Sequence, residues 1–116
     1  MFRSTILVAG LLILGWGLAP AFAATPATAS ATTQARTVHV IVLDKMVFGP
    51  MPTGVRAGDI IEWVNHDIFE HSATARDGSF DVDLKPGATA RMTAKAGSFV
   101  VFCKFHPTMQ ANLLVK

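Results

Sequence analysis

The chain of 116 residues contains a single cysteine, and the short segment that follows it restricts the fold more than any other feature. Cys103 is followed at three-residue steps by His106 and then by Met109. These three could share one face of a helical turn, but Pro107 biases His106 toward extended geometry, so the sequence predicts a tight loop. Thiolate and thioether groups bind soft metal ions, and imidazole suits copper and zinc. The loop therefore predicts a metal site.

The first residues have the layout of a secretory signal peptide. Arg3 precedes an apolar run over residues 6–18, and Ala21 and Ala23 then offer the small side chains of a cleavage site. This run of 13 residues is shorter than the roughly 20 residues of a membrane-spanning helix. We therefore predict a signal peptide over residues 1–23, export, and no stable membrane insertion after cleavage; retention of this segment as an anchor is the alternative. The expected compartment is the periplasm, if the host has an outer membrane.

Composition divides the remaining chain and excludes one class of partner. Residues 24–36 are small and polar without an apolar period, which predicts a flexible leader before a single folded domain over residues 37–116. The ten Lys and Arg are nearly balanced by eight Asp and Glu, and neither sign forms a long run. We therefore predict no nucleic-acid partner.

A lone thiol in an exported domain needs an explanation. Small exported domains commonly carry disulfides, and one cysteine allows none within the chain. The thiol could be buried and inert, could pair with another molecule, or could bind a metal. The neighbouring His106 and Met109 favour the metal.

Period-two alternation predicts strands across the folded domain. Residues 37–43 and 60–65 are rich in β-branched and aromatic side chains. Residues 88–95 alternate apolar with polar side chains, and Cys103 continues the apolar face of a further strand that contains Val101. Turn residues separate about seven to eight such segments. With no convincing helix after the leader, the pattern predicts an all-β antiparallel sandwich.

A second histidine must complete the site, and the chain has four. His39 lies within a predicted strand, where a histidine is more often an ordinary strand residue than a ligand. His66 follows Asn65 in a polar turn and is interpreted as solvated, whereas His71 opens a short new strand. Local context therefore favours His71 over His66.

From about residue 46 to residue 116, the order and spacing of the motifs resemble the cupredoxins, and most closely the small amicyanin-like and plastocyanin-like blue-copper proteins. The motifs are Val55-Arg56-Ala57-Gly58-Asp59, Trp63-Val64-Asn65, His71, Asp77-Gly78-Ser79-Phe80, Gly97-Ser98-Phe99 and the segment 103–109. The resemblance implies a Greek-key β-sandwich and one copper ion that cycles between Cu(II) and Cu(I). It also implies that the copper ligands are His71, Cys103, His106 and Met109.

In this family the residue after the first histidine, commonly asparagine, ties the two ligand loops together. The residue at that position here is Ser72. Its hydroxyl can still bond backbone groups, and its backbone N–H could reach the Cys103 sulfur, so we expect the tuning of the site to change in degree only.

By resemblance, electrons pass through the exposed edge of His106, which lies in an apolar docking patch. The segment 46–52 has two prolines and a glycine and is predicted to be an irregular loop that exposes apolar groups. The patch residues predicted from these segments are Phe105, Pro107, Pro50, Met51 and Pro52. Such a patch suits brief docking to a redox protein partner, and we expect a monomer.

The function predicted from these features is electron transfer by an exported mononuclear blue-copper protein. A copper carrier or resistance protein that does not shuttle electrons uses much the same ligands and remains the alternative. An enzyme is not expected, because copper oxidases and nitrite reductases need further histidines for a second copper. A zinc site is weaker because zinc prefers harder or anionic ligands to a thioether.

Overall fold

Strands alternate with turns from residue 38 to residue 115, and the strands over residues 38–44 and 60–65 are rich in β-branched and aromatic residues. The computed structural model describes residues 33–116 without a break and, before them, residues 10, 15, 17, 20, 21 and 23–27. The strands of residues 33–116 are β1 (Val38–Asp44), β2 (Val47–Phe48), β3 (Ile60–Asn65), β4 (His71–Ala75), β5 (Asp81–Leu84), β6 (Thr89–Thr93), β7 (Gly97–Phe102) and β8 (Gln110–Val115).

Most of the predicted signal peptide over 1–23 lies outside the described residues, as does part of the predicted leader over 24–36. Among the described residues, no helix is long and apolar enough to cross a membrane. Residues 33–116 form a unit of their own, and the architecture below is that of this unit.

The strands form two four-stranded sheets, with the orders β2-β1-β3-β6 and β5-β4-β7-β8. Neighbouring strands are antiparallel except β1 and β3, which run parallel. Residues 45–59 connect these two strands and supply the length of about a dozen residues or more that a parallel crossover needs. The prediction of an all-β sandwich is confirmed.

The short strand β2 differs from the irregular loop predicted over residues 46–52. Val47 and Phe48 pair with the end of β1 through a two-residue turn. Both turn residues have positive φ, 52° at Lys45 and 62° at Met46. Positive φ at both central residues is typical of a type I′ turn, whose twist matches that of the flanking strands. Asn-Gly is the usual sequence of this turn. Lys-Met carries no such signal, so the hairpin is not visible in the sequence.

Alternation along the strands places one apolar face of each sheet in a common core. The fully or nearly fully buried side chains include Ile41, Leu43, Ile61 and Trp63 from the first sheet and Ala73, Leu84, Val101 and Leu113 from the second. Trp63 anchors this core, because its ring centroid lies 6.2 Å from that of Phe48 and 6.1 Å from that of Phe80.

The pairing of β4 with β7 determines where the segments that carry the predicted ligands meet. The two strands are antiparallel, with Thr74 opposite Phe102 and Ala75 opposite Val101. The start of β4 and the end of β7 therefore lie at the same end of the sandwich. His71 is the first residue of β4, and Cys103 directly follows β7.

Candidate metal centre

Three side chains of the types that ligate metals converge where β4 begins and β7 ends. His71 and Cys103 are fully buried, and His106 in the loop after β7 is half-buried. Their ligand atoms all lie within 4.8 Å of one another. The Cys103 Sγ atom is 3.7 Å from Nδ1 of His71 and 3.7 Å from Nδ1 of His106.

These separations fit a shared metal ion. Protein metal sites have bonds of about 2.3 Å to sulfur and about 2.0 Å to imidazole nitrogen. If two such bonds meet at about 120°, as in a trigonal site, the sulfur and the nitrogen are about 3.7 Å apart. Both sulfur to nitrogen distances in the structure have this value. The donor set of one thiol and two imidazoles therefore suits a trigonal copper site.

The orientation of the His71 ring is held by a carboxylate. Nε2 of His71 lies 2.9 Å from Oδ2 of Asp67, which also accepts the backbone N–H of Met46 at 2.9 Å. Hydrogen bonds lower the pKa of the Asp67 carboxyl from 3.8 to about 2, and the bond with His71 has the largest effect, ahead of the bond with Met46. An ionised carboxylate accepts hydrogen bonds only. Nε2 of His71 therefore donates to Asp67, and in the neutral ring the lone pair is on Nδ1, which faces the sulfur.

Ser72 connects the two ligand segments through both its backbone and its side chain. Its backbone N–H donates to Cys103 Sγ at 3.3 Å, and its Oγ accepts the backbone N–H of Lys104 at 2.8 Å. These bonds begin where the backbone ladder between β4 and β7 stops, at Thr74 and Phe102. Ser72 thus continues the pairing of the two segments in place of backbone hydrogen bonds.

The loop of residues 103–109 is closed at its base by the backbone. Cys103 N–H donates to the Met109 carbonyl at 3.1 Å, and Met109 N–H donates to the His106 carbonyl at 2.9 Å. Met109 is 4% exposed and directly precedes β8. The loop therefore presents His106 toward the surface while it holds the Met109 side chain in the core.

The structure separates the other histidines from this cluster. His66 is exposed, and its backbone N–H donates to the Leu43 carbonyl. His39 lies in β1, with Nε2 2.9 Å from Oδ2 of Asp59. A metal ion could be held by three or more His, Cys, Asp or Glu side chains. Within the described part of the chain, the only such group is His71, Cys103 and His106. The histidine that the sequence favoured is the one brought to the cysteine.

The residues of the predicted docking patch differ in exposure. Phe105 is 47% exposed, and Pro107 and Pro50 are also exposed. Met51 and Pro52 are half-buried, and Met51 packs against the core.

A further apolar side chain lies beside the His106 ring and was missed in the sequence. Phe69 is 49% exposed, with its ring centroid 6.0 Å from that of His106. Its neighbour Ile68 is 80% exposed. Both belong to the turn before β4, which was interpreted as polar, and no spacing in the sequence relates them to residue 106. Asp67 in the same turn was missed for the same reason.

Comparison with known proteins supports the predicted resemblance. The model of the family described as "Cupredoxin-like domain" matches residues 10–115. Amicyanin of Paracoccus versutus is 27% identical over 84 aligned positions, and the alignment covers 66% of this chain. The match spans 64% of that amicyanin's own length, which is less than two thirds.

Solved structures show the same fold at low sequence identity. The reduced Cu(I) form of an amicyanin mutant at pH 4 has a TM-score of 0.57 and 21% identity, over 72% of this chain and 87% of that chain. A purple cupredoxin from Nitrosopumilus maritimus has a TM-score of 0.57 and 18% identity, over 66% of this chain and 98% of that chain. The family match extends over most of the sequence, and the two-sheet architecture agrees with it. The chain therefore belongs to the cupredoxin-like family.

Proposed function

We propose that the protein is a mononuclear blue-copper electron carrier in which His71, Cys103, His106 and Met109 hold one copper ion. The observation that carries this proposal is the convergence of a buried thiol and two imidazole nitrogens at 3.7 Å. A bound copper ion would accept and release one electron by alternating between Cu(II) and Cu(I). We propose no catalytic role for this centre.

The role of the protein in this scheme is to keep the donor atoms in place when the charge at the site changes. His71 is fixed by Asp67 at one ring nitrogen, and Cys103 is fixed by the Ser72 N–H. Both ligands are fully buried at the ends of paired strands. Side chains locked by packing and by surrounding hydrogen bonds hold ligand geometry closely, so little rearrangement should accompany electron transfer.

His106 gives the buried centre its route to the surface. It is half-buried and follows the exposed Phe105 in the chain. The Phe69 ring, preceded by the exposed Ile68, lies 6.0 Å from the His106 ring. A small exposed apolar surface suits brief and weak docking rather than a permanent complex. We infer that redox protein partners approach this surface and that the electron crosses at the His106 ring. Export to the periplasm remains a prediction from the first 23 residues.

The test is the visible spectrum of the purified protein with one equivalent of Cu(II), recorded before and after ascorbate. We expect an intense blue thiolate-to-copper band that ascorbate bleaches and ferricyanide restores. Cys103→Ser and His71→Ala should abolish the band, and His66→Ala should retain it as the matched histidine control. Colourless or weakly coloured binding by the native protein would contradict electron transfer and favour copper carriage.

A further inference from the structure

The outer face of β4 carries two hydroxyl side chains that are unusually well buried. Ser72 is 0% exposed and Thr74 is 9% exposed, although they alternate with His71, Ala73 and Ala75, which contribute to the inner side of the strand. In a sandwich, the face that points away from the core is usually solvated. Something outside the sheet must therefore cover these hydroxyls.

The cover is the side chain of Lys104. In the ladder between β4 and β5, Ser72 lies opposite Asp83 and Thr74 lies opposite Asp81. Lys104 follows β7 on the other side of β4, yet its Nζ is 2.9 and 3.0 Å from the two carboxylate oxygens of Asp81. The same Nζ is 2.7 Å from Oδ1 of Asp83. The lysine side chain therefore crosses β4 above Ser72 and Thr74.

The hydrogen bonds beneath this lysine run in one direction. Thr74 Oγ1 donates to Oδ1 of Asp81 at 2.8 Å, so its single proton is used. Ser72 Oγ lies 2.9 Å from Thr74 Oγ1 and must donate to it, because each hydroxyl has one donor and can also accept. Ser72 Oγ then accepts the backbone N–H of Lys104 at 2.8 Å.

The charged groups at the two ends of this chain of hydrogen bonds, Asp81 and Lys104, agree with the assigned donor directions. Hydrogen bonds lower the pKa of the Asp81 carboxyl, and the bond from Lys104 has the largest effect, ahead of the bond from Thr74. Asp81 is therefore an ionised acceptor at neutral pH. Hydrogen bonds to an ionised acceptor are stronger than neutral ones, and aligned bonds polarise one another. The contacts form a closed circuit through Lys104, Ser72, Thr74 and Asp81, because Lys104 contributes both its backbone N–H and its ammonium group.

We propose that Asp81, acting through the Thr74 and Ser72 hydroxyls, is a positioning residue for the sulfur ligand Cys103. The circuit clamps the peptide between Cys103 and Lys104 against β4, beyond the point where the backbone ladder ends. This clamp keeps the Ser72 N–H at hydrogen-bonding distance from Cys103 Sγ. A donor fixed on the sulfur stabilises its negative charge, which favours the reduced centre. The inference rests on the proposed electron-carrier function.

The decisive variant is Thr74→Val, which keeps the shape of the side chain and breaks the hydroxyl chain. Thr74→Ser restores a hydroxyl, and Asp83→Asn is a control that alters a Lys104 contact without touching Thr74. The first readout is hydrogen exchange of the Lys104 amide in the metal-free protein. The Arg76 amide, which bonds the Val100 carbonyl at 2.9 Å, provides the internal reference.

We expect Thr74→Val to speed Lys104 exchange relative to Arg76 by roughly fivefold to tenfold, as for the loss of one hydrogen bond. Thr74→Ser and Asp83→Asn should stay within about twofold of the native protein. The second readout is the reduction potential with copper bound. Thr74→Val should lower the equilibrium constant for reduction by about threefold, which is about 28 mV at 59 mV per tenfold for one electron.

An unchanged exchange rate of the Lys104 amide in folded Thr74→Val would overturn the proposal. An equally large increase in this rate in Asp83→Asn would also overturn it, because charge alone would then be responsible. If Thr74→Val does not fold, Asp81→Ala replaces it, because Asp81 is 53% exposed and provides the terminal acceptor. The exchange measurement needs no copper. If the blue-copper function fails, the reduction potential cannot be compared. The exchange result still shows whether the Thr74 hydroxyl holds the peptide between Cys103 and Lys104.

Discussion

Oδ2 of Asp67 lies 2.9 Å from Nε2 of His71, four residues along the chain. The same oxygen accepts the backbone N–H of Met46, a turn residue with a φ of 62°. One carboxylate thus joins the hairpin of β1 and β2 to the buried histidine. It also assigns the proton to the ring nitrogen that faces away from the cysteine.

This relationship predicts a loss of copper affinity in Asp67→Asn. The amide of asparagine can donate to Nε2, which would move the ring proton to Nδ1 and block the nitrogen that faces Cys103. We expect copper affinity to fall by about 10-fold to 100-fold, as for other partners that orient a metal ligand. Competitive titration against a chelator measures the change. Asp77→Asn, in an exposed turn, is the control and should leave affinity unchanged.

Stability should fall at acid pH because of Asp59. Its carboxylate accepts hydrogen bonds from His39 and from the backbone N–H of Arg56, and these lower the pKa of Asp59 below 3.8. A carboxyl whose folded pKa is depressed contributes stability above its unfolded pKa, and this contribution disappears as the pH falls through the folded value. The free energy of unfolding should therefore decrease below pH 3.8.

Urea denaturation at a series of pH values measures this dependence. Asp59→Asn removes the titrating group, so the variant should be less stable at neutral pH and should lose less stability on acidification. A pH profile identical in steepness to that of the native protein would show that Asp59 does not contribute.

Adjacent leucines in β8 should differ greatly in their contribution to stability. Leu113 is 1% exposed, whereas Leu114 is 58% exposed. Leu113→Ala should lower the free energy of unfolding by about 2–5 kcal/mol through lost burial and a residual cavity. Leu114→Ala should change it by less than about 0.5 kcal/mol. Denaturant unfolding of both variants measures the difference, and similar losses would mean that β8 is paired in another register.

The surface around His106 predicts an effect on electron exchange between copies of the protein. Ile68 is 80% exposed beside Phe69, so Ile68→Lys should not disturb the fold. Two copies that approach through this surface would then bring like charges together, and self-exchange should slow by about tenfold at low salt and recover at high salt.

Line broadening in NMR spectra of mixed oxidised and reduced protein measures this rate. Leu114→Lys is the matched control, because Leu114 lies opposite Ser98, at the far end of β8 from the ligand loop. Equal slowing by both variants would indicate that net charge is responsible and not the surface around His106.

Several parts of the site could be predicted because they depend on local order. Pro107 after His106 favours a loop, and the loop is present between β7 and β8. Period-two alternation places Cys103 on the same side as Val101, and both side chains are fully buried. The choice between His66 and His71 was also accessible, since only His71 begins a strand.

Other parts had no local signal. Asp67 and Phe69 lie in a turn whose composition suggested only solvation, and their contacts with His71 and His106 follow from how that turn folds over the end of the sandwich. The β1–β2 hairpin was missed because Lys45 and Met46 adopt positive φ without glycine or asparagine.

By itself, the sequence determined most of the strands, the loop and the residue types of the candidate site, because these depend on alternation and on spacing over a few residues. Only the tertiary structure decided that Asp81 and Lys104, 23 residues apart, close a circuit over Ser72 and Thr74. That contact requires β5, β4 and β7 to be neighbours in one sheet, with a specific register between them. Register depends on the packing of both sheets together, so no stretch of the chain encodes it alone.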